Sequence, residues 1–103
     1  MELGGVKMFI LLTYDIDQSD GGRRLHKVAK ICENFGTRVQ NSVFEMDIDA
    51  GELIRLKNRI AEVIDESIDS VRLYKLGTFD NRQVELLGIR EKVELSLDSG
   101  IFM

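Results

Sequence analysis

The stretch MFILLTYDI, residues 8–16, restricts this chain more than any other. Met8, Ile10 and Leu12 fall on one face of an extended segment, and Phe9 and Leu11 fall on the other. A strand with one wet face alternates apolar with polar, so a strand that is apolar at both parities is covered on both sides. Any fold for this chain has to bring two layers against residues 8–16.

The rest of the chain supplies one of those layers. Leu25, Val28, Ala29, Cys32 and Phe35 recur at three- and four-residue steps, the apolar stripe of a helix running to about Phe35. Gly21 and Gly22 introduce it, Ser19 or Asp20 caps it, and Gly36 is expected just past its end in the left-handed conformation. Residues 37–48 are extended, but their apolar parity switches from Val39 and Val43 to Phe44, Met46 and Ile48. A bulge or a very tight hairpin near Asn41 and Ser42 accounts for the switch, and two strands with a short break are expected. Asp49 and Glu52 form a capping box for a second helix, which carries Leu53, Leu56, Ile60, Ala61 and Ile64 inward and ends near Asp65. Residues 68–76 alternate Val71 and Leu73 against Arg72 and Tyr74, a strand that Gly77 closes, and QVELLG reads as a short further strand.

The order is β-α-β-β-α-β plus one, an α+β class: a ferredoxin-like βαββαβ sandwich with an extra C-terminal strand. Two helices cover only one face of such a sheet. The second layer over residues 8–16 is then a second copy of the chain, giving a homodimer stacked through the sheets, with the extra strand near Val84 available to the partner's sheet edge. Residues 1–7 read as an N-terminal extension, 8–88 as the ferredoxin-like domain, and 89–103 as a C-terminal tail that is a candidate partner contact.

Totals narrow the partners. A length of 103 residues suits one domain, and 44% hydrophobic with 31% charged residues excludes general disorder. A net charge of -4 argues against a chain that coats nucleic acid through bulk charge, so any such site is a local basic patch. The acidity is uneven: residues 1–47 hold six basic and seven acidic residues, residues 48–103 eight and eleven. A single cysteine, Cys32, excludes a disulfide within the chain, and it falls on the core stripe. The first apolar run is too short for a signal peptide and no segment is long enough to span a membrane, so a soluble cytoplasmic protein is expected.

Asp15 ends the doubly apolar strand on the parity of Phe9 and Leu11, the face assigned to the dimer. Alone it reads as a strand-end acid accepting backbone hydrogen bonds. Two copies facing across a two-fold axis would hold Mg²⁺ or Mn²⁺, with waters completing the octahedron, and the ion would activate water or steady charge on a phosphate. Asp17 shares the parity and reads as a solvated loop acid or an assistant. Arg23, Lys27 and Lys30 form a basic stripe at i, i+4 and i+7, either solvated or holding phosphates beside the Asp15 loop, and Arg38 is placed to add to it. His26 reads as a solvent-facing helix residue or a general base. Phe44 is a base-stacking platform if exposed and core if buried.

The segments LLTYDI, RRLHKVAKICENFGTRVQNSVFEMDI and DSVRLYKLG resemble the small CRISPR adaptation nuclease family, Cas-two, over residues 8–77. The pair of motifs that carries the resemblance is a strand ending in Y-D and G-x-R-V-Q-x-S-V-F-E. The resemblance implies a ferredoxin-like homodimer and metal-dependent endonuclease activity on RNA or double-stranded DNA. It also implies a complex with the larger integrase, Cas-one, that inserts new spacers into the CRISPR array. It places the catalytic metal ligand on Asp15, basic nucleic-acid contacts on Arg23 or Arg24 and on Arg38, and an aromatic contact on Phe44. The family's frequent tyrosine before S-V-F-E is Asn41 here. A non-catalytic DNA-binding scaffold for the integrase, a toxin-like ribonuclease of related fold, and a ligand-binding regulator stand as alternatives.

Overall fold

Alternation along the first strand decides the architecture. In the computed structural model, which describes residues 5–78 together with Glu85 and Leu87, the elements are β1 (Lys7–Asp15), α1 (Arg23–Glu33), β2 (Thr37–Gln40), β3 (Val43–Asp49), α2 (Ala50–Ala61) and β4 (Ser70–Lys75). They build one antiparallel sheet of order β2-β3-β1-β4. This is the expected ferredoxin-like arrangement, with β1 at the centre between β3 and β4.

Ile10, Leu12 and Tyr14 of β1 and Phe44, Met46 and Ile48 of β3 form one layer of the core. Val28, Ala29 and Cys32 of α1 and Leu53, Leu56 and Ile60 of α2 form the other. Each such Ile, Leu or Phe contributes about 1.5–3 kcal/mol by leaving water, so the parity that includes Ile10 and Leu12 faces the helices. Burial pushes the Cys32 thiol up to about 12, which leaves it a small inert hydrophobe.

The opposite parity faces away from both helices. Cross-strand pairs put Val43 and Arg72 on either side of Thr13, Glu45 and Tyr74 on either side of Leu11, and Asp47 beside Phe9. Leu11, Thr13, Val43 and Glu45 are half-buried there, and burial raises the Glu45 carboxyl above the ordinary glutamate range.

Several boundaries differ from expectation. The parity switch over residues 37–48 has both of the causes considered: a two-residue turn at Asn41 and Ser42, and a register shift between Arg38 and Gln40. Gly36 is not in the left-handed region, unlike Gly21, Gly22 and Gly77. It is a glycine because a Cβ there would run into the Glu45 carbonyl oxygen and Met46 Cγ as α1 delivers the chain to β2. The α1 helix gives way to a turn after Glu33, and α2 stops at Ala61, which is exposed rather than inward. The Asp49–Glu52 capping box is present in both directions, at 2.8 and 2.9 Å. Apart from Glu85 and Leu87, the further strand expected over residues 83–88 and the tail at 89–103 lie outside the described residues. Among the described residues, no helix is long and apolar enough to cross a membrane.

Candidate functional site

Asp15 is the last residue of β1, paired with Ser70 of β4, and exposed on the sheet face away from the helices. The chain then leaves the sheet through Ile16, which is buried, and reaches α1 by a turn at Gly21 and Gly22 with φ of 80° and 86°. A side chain would be strained at either glycine.

This loop is held by a buried ion cluster. The Asp69 carboxylate, wholly buried, accepts backbone N–H bonds from Asp17 and Asp65, each at 2.8 Å, and bonds from Arg24 Nε at 2.8 Å and Nη2 at 3.2 Å. Arg24 Nη1 donates to Asp20 at 3.0 Å, and Nη2 also reaches the Asp17 carbonyl at 3.3 Å. The N-cap of α1 is Gly22 rather than the expected Ser19 or Asp20, but Asp20, two residues before it, accepts the backbone N–H groups of Gly22, Arg23 and Arg24 and so satisfies donors of the first turn. The Arg24 bonds hold the Asp69 carboxyl well below its usual range against the opposing effect of burial. Burial also opposes ionisation of Asp20, but the N–H groups of Arg24 and Gly22 outweigh it and lower its pKa. Asp17 accepts from the Ser19 hydroxyl and backbone N–H, which lowers its pKa too.

On the other side of β1, the Tyr14 hydroxyl donates to the Asn41 carbonyl at 3.1 Å, and burial raises its pKa. Its ring stacks on Phe44 at 6.2 Å, and the Arg38 guanidinium lies 5.3 Å from the Phe44 centroid, with Nη2 3.6 Å from Glu33. Two clefts open beside Asp15. The larger, about 560 Å³, is lined by Asp15, Tyr14, His26, Arg38 and Asn41 among others. The smaller, about 230 Å³, is lined by Thr13, Tyr14, Asp15, Ser70 and Arg72.

The residues named from sequence therefore separate. Asp15, Arg38 and His26 meet in one cleft. Arg23 and Lys27 are exposed on α1 and line neither cleft. Arg24 is committed to Asp69 and Asp20, so the donors that would grip a phosphate are engaged within the chain, in place of the expected phosphate contact. The stacking platform expected at Phe44 is corrected: the ring is 0% exposed, because β3 pairs it with Leu12 on the helix-facing side. Sequence reasoning passed over Asp69 and Arg72. The signals were an acid directly before the first residue of β4, and a cation at the outward parity of that strand. Among the described residues no three metal-ligating side chains converge, so one protomer offers the hard carboxylate oxygens of Asp15 by themselves.

Fold and site together define a class: a small ferredoxin-like domain with an acid at the end of its central strand and arginines in the clefts beside it. Residues 8–84 match the family model described as CRISPR associated protein Cas2, and the chain belongs to that family. It is 46% identical over 90 residues, 85% of this chain and 94% of the relative, to the CRISPR-associated endonuclease Cas2 of Halalkalibacterium halodurans. It is 44% identical over 88 residues, 84% of this chain and 93% of the relative, to the CRISPR-associated endoribonuclease Cas2 3 of Rhodospirillum rubrum. The fold matches the crystal structure of Streptococcus pyogenes Cas2 at pH 6.5 with a TM-score of 0.69 and 46% identity, covering 79% of this chain and 100% of the other.

Proposed function

We propose that this chain is a CRISPR adaptation endonuclease that hydrolyses phosphodiester bonds in RNA or double-stranded DNA as a homodimer, and that it joins the integrase complex that inserts new spacers. The observation that carries the reading is the position of Asp15: exposed at the end of the central strand, on the sheet face away from the helices, in clefts shared with Arg38 and Arg72. The names of its relatives, endonuclease and endoribonuclease, support the reaction class.

The uncovered sheet face supports the dimer. Leu11, Thr13 and Val43 present half-buried, largely apolar surface there, and a second copy is the natural cover for such a face. A seam along β1 brings two Asp15 carboxylates to one place, where they would share Mg²⁺ or Mn²⁺. When bound, the ion supplies Lewis-acid stabilisation of the charge that develops on the phosphate. The protein's own part is to hold the loop that follows Asp15 through the Asp69 cluster and to place one arginine, Arg38 or Arg72, in each of the two clefts beside that acid.

Cleavage of labelled RNA and duplex DNA by the parent and by Asp15→Asn, with Mg²⁺, with Mn²⁺ and with chelator, tests the reading. Loss of metal-dependent cleavage in the variant is expected. Equal cutting by both proteins would assign the activity to something other than this site. One observation favours a second reading, a non-catalytic DNA-binding scaffold for the integrase: each protomer brings one acid to the seam, and Arg24 and Phe44 are occupied internally. On that reading Asp15→Asn supports spacer acquisition as well as the parent does, while removal of residues 89–103 impairs it.

A further inference from the structure

Five cations stand near Asp15 in sequence or in space, and the structure separates them sharply. Arg24 gives four hydrogen bonds to its own chain. Arg38 lies over Phe44 with Glu33 at 3.6 Å. Arg23 and Lys27 project from α1 outside both clefts. Arg72 differs from all four. It sits in the middle of β4 opposite Thr13, two residues along from the Ser70–Asp15 pair, so it shares the outward face with Asp15. Arg72 and Asp15 both line the same small cleft. Among the described residues it has no carboxylate within ion-pair distance, and Asp15 has no cation. A cation and an acid thus face one cleft of about 230 Å³ without closing on each other. Among the described residues the guanidinium gives a single hydrogen bond, Nη1 to the Tyr74 hydroxyl at 3.2 Å, which steadies it and leaves most of its five N–H donors free.

We propose that Arg72 is the substrate-phosphate ligand of the Asp15 site, gripping a nonbridging phosphate oxygen of the nucleic-acid backbone through its free guanidinium edge. The inference rests on the hydrolytic reading of Asp15 and adds to it the group that seats the scissile phosphodiester. Arginine is suited to this because its planar fork meets phosphate oxygens two at a time and stays charged at every working pH. Placing the cation across the cleft from the acid, rather than in a pair with it, lets a phosphate and the ion it brings lie between the two. Tyr74 is then a positioning residue, since it acts through Arg72.

The test uses full-length protein, a labelled single-stranded RNA and a labelled duplex DNA, with Asp15→Asn, Arg72→Gln, Arg72→Lys and Tyr74→Phe. In cleavage assays Arg72→Gln lowers kcat/KM by on the order of 10- to 100-fold, Arg72→Lys recovers only part of the loss, and Tyr74→Phe produces a smaller loss of the same kind. In the Asp15→Asn background, where nothing is cut, Arg72→Gln weakens binding and reduces the slope of log affinity against log salt by about 1. Which of the two substrates shows the effect names the backbone that the cleft takes. If Asp15→Asn still cleaves, the hydrolytic reading itself is lost. If Asp15→Asn is inactive but Arg72→Gln keeps the parent's kcat/KM and salt slope on both substrates, the Arg72 assignment alone is overturned. Sedimentation provides the last arm: a dissociated Arg72→Gln that regains parent activity at high concentration would make Arg72 an interface residue and would also overturn it.

Discussion

Phe44 and Gly36 show how one residue type carries two meanings until its neighbours are known. Phe44 reads from sequence either as a stacking platform or as core, and the pairing with Leu12 makes it core. Truncation to alanine should cost about 3–5 kcal/mol in urea unfolding, because the ring is fully buried between Tyr14 and Arg38. Phe44→Leu should keep the fold and leave nucleic-acid affinity within about twofold, measured by fluorescence anisotropy, since a buried ring stacks on no base. A leucine variant of parent stability and much lower affinity would contradict this. Gly36 looks like a helix terminator but is a point of close approach to β3. Gly36→Ala should therefore destabilise by about 1–3 kcal/mol, as an overpacked site does, and the same urea measurement reads it.

Between elements, the legible parts were the local ones. The Asp49–Glu52 box spans three residues and could be read directly, and Asp49→Ala should cost about 1 kcal/mol of stability by thermal or urea unfolding. The Arg24–Asp69 cluster joins residues 45 apart, and the Asp17–Asp69 bond residues 52 apart. No periodicity encodes those distances, so from sequence Arg24 stands only as a candidate nucleic-acid contact implied by the resemblance. The cluster has a pH signature. Asp69, Asp17, Asp20 and Asp65 all have pKa values lowered on folding, so the unfolded chain binds more protons than the folded one across the carboxylate range. Their stabilisation is fully present above the unfolded value near 3.8 and is lost as pH falls through the lower folded values. The parent's Tm should fall steeply below about pH 4. Asp69→Asn should lower Tm at neutral pH by on the order of 10 °C, with a shallower acid limb, because it strands a half-buried guanidinium. An unchanged acid limb in that variant would remove Asp69 from the account.

At the scale of the molecule, sequence alone carried the order of elements and the expectation of a sheet face that the helices leave uncovered, the second from counting helices against a strand that is apolar at both parities. It did not show which residues share that face across strands, since register is a property of pairing. The register puts Leu11 at the centre of the face, between Glu45 and Tyr74. Glu45 is already half-buried with its pKa raised, so a second carboxylate beside it is tolerable only where water reaches. In a lone protomer Leu11→Glu is nearly a surface change, costing a few tenths of a kcal/mol from like charges across the strands. In a dimer stacked on this face it sets four acids into one dry seam. The variant should therefore keep its circular dichroism, sediment as a monomer where the parent sediments as a dimer, and lose metal-dependent cleavage by at least about tenfold, since each protomer alone supplies one carboxylate to the ion. A parent that sediments as a monomer, or a monomeric Leu11→Glu that cuts at the parent's rate, would dismiss the shared site and leave Asp15 a strand-end acid.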